Sequence, residues 1–320
     1  MSFKHWSIVS FIIILLFVTA CSNTEEEGIR EVDAEAVFAM NDAGGELEVR
    51  FFYLDPLEGT EKTGLSTLIR TPEGQTILID AGIPSVGPLI DDYLSRLDID
   101  TIDYAVASHP HSDHIGGYTT LFETKKIGKL FETDLPYDSN LYIEYQDLIA
   151  EKEIDVEYVE KGNTFELEED MTLEFLNPSQ EKIDKYLDIF DDFSAGIIND
   201  LSLVAKLTYK DTTFLFPGDI YDAVESELVN EYGEKLDVDV LVAPHHGQHT
   251  SSSKKFIEAV NPEITVIPIN LLYSRTTYED YIDHGSEVFV SQFDGNVLLI
   301  TDGNVIDVYS EFEKAEKVSN

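Results

Sequence analysis

Two hydrophobic periods alternate along residues 47–320. Short apolar runs of four to nine residues, bounded by Gly, Pro or acidic turns, predict strands; they are 50–55, 66–71, 76–80, 102–108, 127–131, 155–159, 171–176, 201–209, 212–216, 238–243, 264–269, 288–291, 297–301 and 305–309. Apolar residues at helical spacing predict helices over 87–97, 140–151, 221–232, 253–260 and 277–284, with another starting near Asp113 or Ile115. Interspersed strands and helices favour two sheets sandwiched between helices in one domain.

The first 46 residues have a different pattern. Lys4 precedes an apolar run over 8–18, which is too short to span a bilayer and predicts a signal peptide over 1–20. Val18-Thr19-Ala20-Cys21 resembles a bacterial lipobox, and Cys21 is the only cysteine of the chain. We therefore expect lipidation at Cys21 and an extracytoplasmic protein held to the membrane only by that lipid; an ordinary signal peptide is the alternative. Residues 21–46 are polar and acidic and predict a flexible tether.

The charge balance narrows the range of partners. The chain carries 21 Lys+Arg against 63 Asp+Glu, a formal net charge of −42. Tight nucleic-acid binding depends on neutralising phosphates with Lys and Arg, so the charge disfavours it. A solvated surface suited to a salty or alkaline exterior is the simpler interpretation.

Most of the eight histidines lie in two short clusters. The first, Ser108-His109-Pro110-His111-Ser112-Asp113-His114, follows an apolar strand directly and so lies at its carboxyl end. Imidazoles and carboxylates are ligands of Zn²⁺ and similar ions. His109 and His111, two apart on an extended loop, can converge on one ion, while Asp113 and His114 turn toward a second.

Three further strand ends deliver an acid or a histidine. Pro244-His245-His246-Gly247-Gln248-His249 forms the second cluster, Gly218-Asp219 ends another strand, and Asp80 ends an early one. A single Asp at a strand end is common in turns. Four such ends in order predict one shared metal site.

This order resembles the metallo-β-lactamase superfamily. The motifs Ser-His-Pro-His-Ser-Asp-His-Ile-Gly-Gly, Asn199-Asp200-Leu201-Ser202, Pro-Gly-Asp-Ile and Pro-His-His-Gly are similar to those of the C-terminal domain of ComEC-type competence proteins and of phosphorylcholine esterases. The resemblance implies an α+β fold, the four-layer αββα sandwich, over 47–320. It also implies two divalent ions, Zn²⁺ or alternatively Mn²⁺, and a water molecule that they activate.

The resemblance assigns roles residue by residue. His109 and His111 would bind the first ion, Asp113 and His114 the second, and Asp219 both. Either His245 or His246 would complete the second site, and His246 is the preferred candidate. Asp113 and Asp80 are the candidate catalytic residues, Asp80 by orienting a ligand or the water. The candidate substrate-binding residues are Asn199, Asp200, Arg275 and His249.

Two features depart from the resemblance. No histidine lies between His114 and His245, where many members of the superfamily have one, so the first ion would have only two histidines with Asp219. A late Tyr-Gly-His-Pro turn is replaced by Tyr273-Ser274-Arg275-Thr276. Arg275 is then either a phosphate contact or a surface residue paired with acids.

The function expected is hydrolysis of a phosphodiester or related ester in a small or wall-associated substrate. A competence-related extracellular nuclease is disfavoured by charge. Hydrolysis of β-lactams, lactones or thioesters is disfavoured by the missing histidine. A non-catalytic binding lipoprotein is a fourth hypothesis. Fold alone does not decide which ester is cut.

Overall fold

A computed structural model describes residues 28–39, 45–55, 62–189 and 193–313. Its first sheet has the spatial order β1-β16-β15-β2-β3-β4-β5-β6-β7. These strands are β1 Arg30–Val32, β2 Leu47–Phe51, β3 Thr67–Arg70, β4 Thr76–Ile79, β5 Thr101–Val106, β6 Lys126–Glu132, β7 Val156–Tyr158, β15 Val297–Thr301 and β16 Ile306–Ser310. From β4 to β7 the neighbours run parallel, so their carboxyl ends share one edge.

The second sheet has the order β14-β13-β12-β11-β10-β9-β8. Its strands are β8 Thr164–Glu168, β9 Met171–Asn177, β10 Val204–Tyr209, β11 Thr212–Phe216, β12 Val240–Val242, β13 Ile264–Ile267 and β14 Glu287–Val290. The run from β11 to β14 is parallel. β8 is a strand that the sequence analysis did not predict.

Helices cover the outer faces of both sheets. They are α1 Ala34–Val37, α2 Gly87–Arg96, α3 Ser112–Ile115, α4 Tyr118–Thr124, α5 Asn140–Glu151, α6 Gln180–Ile189, α7 Ala195–Asp200, α8 Asp222–Tyr232, α9 Lys254–Val260, α10 Arg275–His284 and α11 Ser291–Asp294, with 3₁₀ turns at Pro84–Val86, Gly233–Leu236 and Pro244–Gly247. None of the helices in the described ranges is long and apolar enough to cross a membrane.

Alternating side chains of each strand build a four-layer molecule. In β4, Ile77 and Ile79 join the core between the two sheets, while Leu78 faces the core under α2, α4 and α5. In β11, Phe214 and Phe216 point inward, and Leu215 packs under α8, α9 and α10. The order is therefore helix, sheet, sheet, helix, and the predicted αββα sandwich is confirmed.

Residues 28–39 depart from the expected flexible tether. β1 pairs in parallel with β16, with Arg30 opposite Val308, and the Arg30 side chain forms ion pairs with Glu263 and Glu287. Val37 of α1 is buried against the first sheet. These long-range contacts hold the segment to the domain. Cys21 and the predicted signal peptide lie outside the described residues.

The acidic segment from Asn177 to Asn199 contains two helices that the sequence analysis did not predict. It forms α6 and α7, the latter capped by the Ser194 side chain, which accepts a hydrogen bond from the Ile197 backbone amide. Ile183 and Ile198 pack in a small apolar cluster of their own. The segment thus places Asn199 beside the carboxyl ends of the strands.

Candidate metal centre

Asp80 is the buried support of the first histidine cluster. It ends β4 in a left-handed conformation, with φ 59°. One carboxylate oxygen accepts the Ser108 backbone N–H at 2.8 Å, and the other accepts the Ser108 hydroxyl and lies 2.8 Å from His114 Nδ1. The carboxylate therefore fixes the turn after β5 and orients the His114 ring so that Nε2 faces away from it.

Asp219 lies at the centre of the cluster. It follows Gly218, whose φ of 58° permits the tight turn after β11 and whose Cβ position would overlap Ser202. The Asp219 carboxylate is 2% exposed. Its Oδ2 atom lies 3.3 Å from His114 Nε2 and 3.9 Å from His109 Nε2, so histidines from the first sheet meet a carboxylate from the second.

The second histidine cluster reaches the same carboxylate. His246 Nε2 lies 3.6 Å from Asp219 Oδ1 and 3.6 Å from Asp113 Oδ2. His245 Nε2 lies 3.7 Å from Asp219 Oδ2. Tetrahedral ligands about 2.0–2.1 Å from Zn²⁺ are separated by about 3.3 Å, so these spacings are close to those of ligands that share an ion.

Four residues form a complete candidate ligand set. Ligand atoms of Asp113, His114, Asp219 and His246 all lie within 4.8 Å of one another. His114 Nε2, His246 Nε2 and Asp219 Oδ1 are buried and have no hydrogen-bond partner among the described residues. Unpaired buried polar atoms are costly, and a shared cation would satisfy all three. The residues present therefore fit a divalent metal ion.

His109 and His111 converge beside this set. His109 Nε2 and His111 Nδ1 are 3.0 Å apart, and Ser108 Oγ lies 3.0 Å from His109 Nδ1. His111 has an extended backbone just before α3, the helix that carries Asp113 and His114. The His109 and His114 rings lie 4.0 Å apart, so the loop and the helix bring the histidines of the first cluster together, and the division into two ligand groups stays a prediction.

The protonation states follow from burial and from the neighbouring charges. Burial alone would raise the pKa of Asp219, but the charges of His114 and His246 outweigh it and hold that pKa well below its ordinary value. Burial lowers the pKa of His109 well below its ordinary value, and that of His245 to about 4. At neutral pH, Asp219 is therefore ionised and both of these imidazoles are neutral, the forms that bind metals.

His114 behaves differently. Burial lowers its pKa, but the charges of Asp219 and Asp80 outweigh that effect and raise the pKa well above its ordinary value. Burial lowers the pKa of His246 too, but the charge of Asp219 and the neighbouring Asp113 carboxylate outweigh that effect and raise the pKa above its ordinary value. Metal binding at these nitrogens must release protons, so metal affinity is expected to fall as the pH is lowered.

The candidate substrate-binding residues fall into two groups. Asn199 is buried beside the cluster and donates a hydrogen bond to the Tyr221 hydroxyl at 3.0 Å. The neighbouring Asp200 is half-buried, and burial raises its pKa. In contrast, Arg275 is exposed and forms an ion pair with Glu279 at 2.7 Å, and His249 is exposed. The surface interpretation of Arg275 matches this ion pair; the predicted substrate contacts of both exposed residues remain predictions.

Three tyrosines near the cluster carried no signal in the sequence. The Tyr137 ring lies 5.8 Å from the His111 ring, and the Tyr221 ring 5.1 Å from the His245 ring. Burial, followed by the charge of Asp113, raises the pKa of Tyr273 to about 12. Because aromatic residues are frequent throughout the chain and mostly form its core, only the fold distinguishes these three.

Part of the chain is similar to a known protein family. A family model described as "Metallo-beta-lactamase superfamily" matches residues 59–181, which include Asp80 and the whole first cluster. Residues 59–181 of the chain are therefore similar to this superfamily, whose members are generally hydrolases. The αββα sandwich is consistent with the fold of that superfamily, and the His/Asp cluster lies at the strand ends.

The chain is also similar to two curated proteins, one of them a competence protein by name. It is 30% identical to "Competence protein ComA" of Neisseria gonorrhoeae over 204 residues, which are 63% of this chain and 25% of that protein. It is 24% identical to "ComE operon protein 3" of Bacillus subtilis (strain 168) over 180 residues, 55% of this chain and 21% of that protein. The chain thus spans a quarter or less of the length of these relatives.

Among solved structures, the chain is similar to the metallo-beta-lactamase fold protein YhfI from Bacillus subtilis. The two chains are 11% identical with a TM-score of 0.49, and the match covers 76% of this chain and 96% of that one.

Asp80 offers a test of the positioning of His114. We expect Asp80→Asn to weaken metal binding by about 10- to 100-fold, because the amide cannot hold the Ser108 N–H, the Ser108 hydroxyl and the His114 ring with the same charge and geometry. Competition with a fluorescent chelator measures this change. Asp98→Asn, outside the cluster, is the matched control. Equal affinity of the two variants would contradict the positioning role.

Proposed function

We propose that the protein is an extracytoplasmic hydrolase of phosphodiester or related ester bonds that uses a water molecule activated by two divalent metal ions, Zn²⁺ or Mn²⁺. The observation that carries the proposal is the Asp219 carboxylate, which meets imidazole nitrogens at 3.3–3.9 Å from both histidine clusters. A carboxylate so surrounded is suited to bridging two cations.

The residues of the site would have two roles, metal binding and positioning. Asp113, His114, His246 and Asp219 would hold one ion, and His109 and His111 would hold the other with Asp219. Bound ions would supply Lewis-acid chemistry, activating water and neutralising charge on the attacking and leaving oxygens. Asp80 keeps His114 oriented, and Asn199 donates a hydrogen bond that keeps the Tyr221 hydroxyl in place. The Tyr221 and Tyr273 rings border the cluster and supply hydroxyl groups to a polar substrate.

The substrate class follows from chemistry and charge. Two cations can stabilise both oxygens of an in-line displacement at phosphorus, which favours phosphodiesters among the possible esters. A net charge of −42 disfavours long polyanions, so a small or wall-associated ester is the proposed substrate. The location rests on the sequence of residues 1–21, with lipid at Cys21 as the anchor.

The first experiment is hydrolysis of bis-p-nitrophenyl phosphate and p-nitrophenyl phosphorylcholine by the full-length chain in detergent. We expect turnover that disappears after chelation and returns with Zn²⁺ or Mn²⁺. A fluorescent single-stranded oligonucleotide in parallel tests the nuclease hypothesis, which the names of the relatives make relevant. A protein that binds metal but turns over neither ester would contradict the proposal and favour lactam or thioester substrates or a binding role.

A further inference from the structure

The two consecutive histidines after β12 have an unusual backbone. His245 has φ 50° and ψ 43°, and His246 has φ 54° and ψ 30°, both in the left-handed region. Residues other than Gly adopt this conformation uncommonly, although His does so more often than most, because Cβ crowds the following carbonyl oxygen. Two such residues in succession persist only where the surrounding structure holds them, and such strain is concentrated at functional sites.

The strained turn directs both rings at one carboxylate. His246 Nε2 approaches Asp219 Oδ1 at 3.6 Å, and His245 Nε2 approaches Oδ2 at 3.7 Å. His109 Nε2 lies 3.9 Å from that same Oδ2. His246 also faces Asp113, whereas His245 shares its oxygen with a histidine of the first pair. His114 Nε2 also approaches Oδ2, at 3.3 Å.

Each of these rings has its other nitrogen engaged. Thr250 Oγ1 lies 2.6 Å from His245 Nδ1, and the Pro268 carbonyl oxygen lies 3.3 Å from His246 Nδ1. In the same way, Asp80 lies within hydrogen-bond distance of His114 Nδ1, and Ser108 Oγ lies within hydrogen-bond distance of His109 Nδ1. A partner on Nδ1 that accepts its proton leaves the Nε2 lone pair free, which is the arrangement typical of metal-bound histidines. His245 therefore has the same arrangement as His114 and His246, although it is not one of the four residues of the candidate ligand set.

We infer that His245 is a ligand of the first metal ion, together with His109, His111 and Asp219, while His246 completes the second site. The inference rests on the two-metal part of the proposed function. It goes beyond the sequence interpretation, in which only one of the two histidines is a ligand and the first ion has two. Many members of the superfamily have a histidine between the first cluster and the bridging Asp. In this chain His245, on the loop after β12, would supply the corresponding nitrogen to the first ion.

The test is the metal content of His245→Asn in the full-length chain, measured by mass spectrometry after equilibration with Zn²⁺ and by titration against a chelator. Asparagine tolerates the left-handed backbone, so the turn is retained. We expect two ions per wild-type chain and one tightly held ion in the variant. The affinity for the other ion is expected to fall by at least about 100-fold, since losing even an outer partner of a ligand costs 10- to 100-fold.

Two further variants make the result specific. His249→Asn changes an exposed histidine of the same loop and is expected to keep both ions. Thr250→Val keeps the His245 ring but removes the partner of Nδ1, and is expected to weaken the same ion by about 10- to 100-fold. The visible absorption of the Co²⁺-loaded protein reports the coordination number of each site without any substrate.

The outcomes separate the inference from the proposed function. If His245→Asn keeps two ions with wild-type affinity and loses only turnover, His245 is a substrate contact and the inference is wrong. If the wild type binds two ions as described but cleaves no ester, the proposed function fails and the inference stands. A wild type that holds a single ion contradicts both the two-metal proposal and the role of His245.

Discussion

Asp219→Asn is expected to abolish catalysis and to remove both metal ions. The carboxylate meets histidines of both clusters at 3.3–3.9 Å, and Asn offers one neutral oxygen in place of two charged ones. Metal ions supply several kcal/mol of transition-state stabilisation, and about 4 kcal/mol corresponds to roughly a 1,000-fold loss of turnover. Turnover of bis-p-nitrophenyl phosphate and metal content measured on the same preparation test both effects.

The amide is nearly isosteric, which separates charge from packing. The Asp219 backbone N–H, 3.2 Å from Ser202 Oγ, and the turn at Gly218 do not depend on the carboxylate, so the fold is expected to survive. Asp222→Asn, three residues later and exposed in the first turn of α8, removes the same charge outside the cluster. It should retain both ions and full turnover. If Asp219→Asn also retained two ions, the bridging role would be refuted.

Much of the site could be predicted because its residues are contiguous in the sequence. His109, His111, Asp113 and His114 lie on one loop, so their spacing alone indicates two directions of ligation. The strand-end positions of Asp80 and Asp219 follow from the apolar runs before them, and parallel strands bring such ends to one edge. The four-layer fold followed from the same runs and from the motifs.

The separate roles of His245 and His246 could not be predicted from the sequence. Neighbouring residues have the same spacing to every other motif, and only their left-handed backbone shows that both rings face Asp219. Likewise, nothing in the sequence near Tyr273 or Tyr221 distinguishes these aromatics from core residues. Both facts depend on tertiary geometry that no local pattern contains.

The sequence analysis missed the structure of two segments, and the local sequence pattern is weak in both. Residues 28–39 are polar, but Arg30 finds acidic partners more than 200 residues away and β1 pairs with β16. Such pairing leaves no periodic signal in a three-residue strand. The helices α6 and α7 carry few apolar residues, because they bury only a narrow stripe around Ile183 and Ile198, and the sequence therefore resembles a loop.

Gly64 is the glycine on which the position of the metal loop depends. It precedes β3, is buried, and has φ 77°. A Cβ atom at this position would overlap the carbonyl oxygen of Asp113. Backbone hydrogen bonds from Ile83 to Thr63 and from Ala81 to His114 fix this strand and the loop against each other, so neither can move aside cheaply.

We expect Gly64→Ala to destabilise the protein by at least about 2 kcal/mol beyond the cost of its left-handed backbone, since overpacking a close contact typically costs about 1–3 kcal/mol and displaces the backbone. Gly74→Ala is the matched control, because its φ of 91° carries similar strain while its Cβ meets nothing within 4 Å. Urea unfolding of the metal-free proteins isolates the packing effect, and chelator competition reports the displacement of Asp113. Equal unfolding free energies for the two variants would contradict the argument. A destabilised Gly64→Ala protein with unchanged metal affinity would mean instead that the loop is held by its own hydrogen bonds and not by the contact with Gly64.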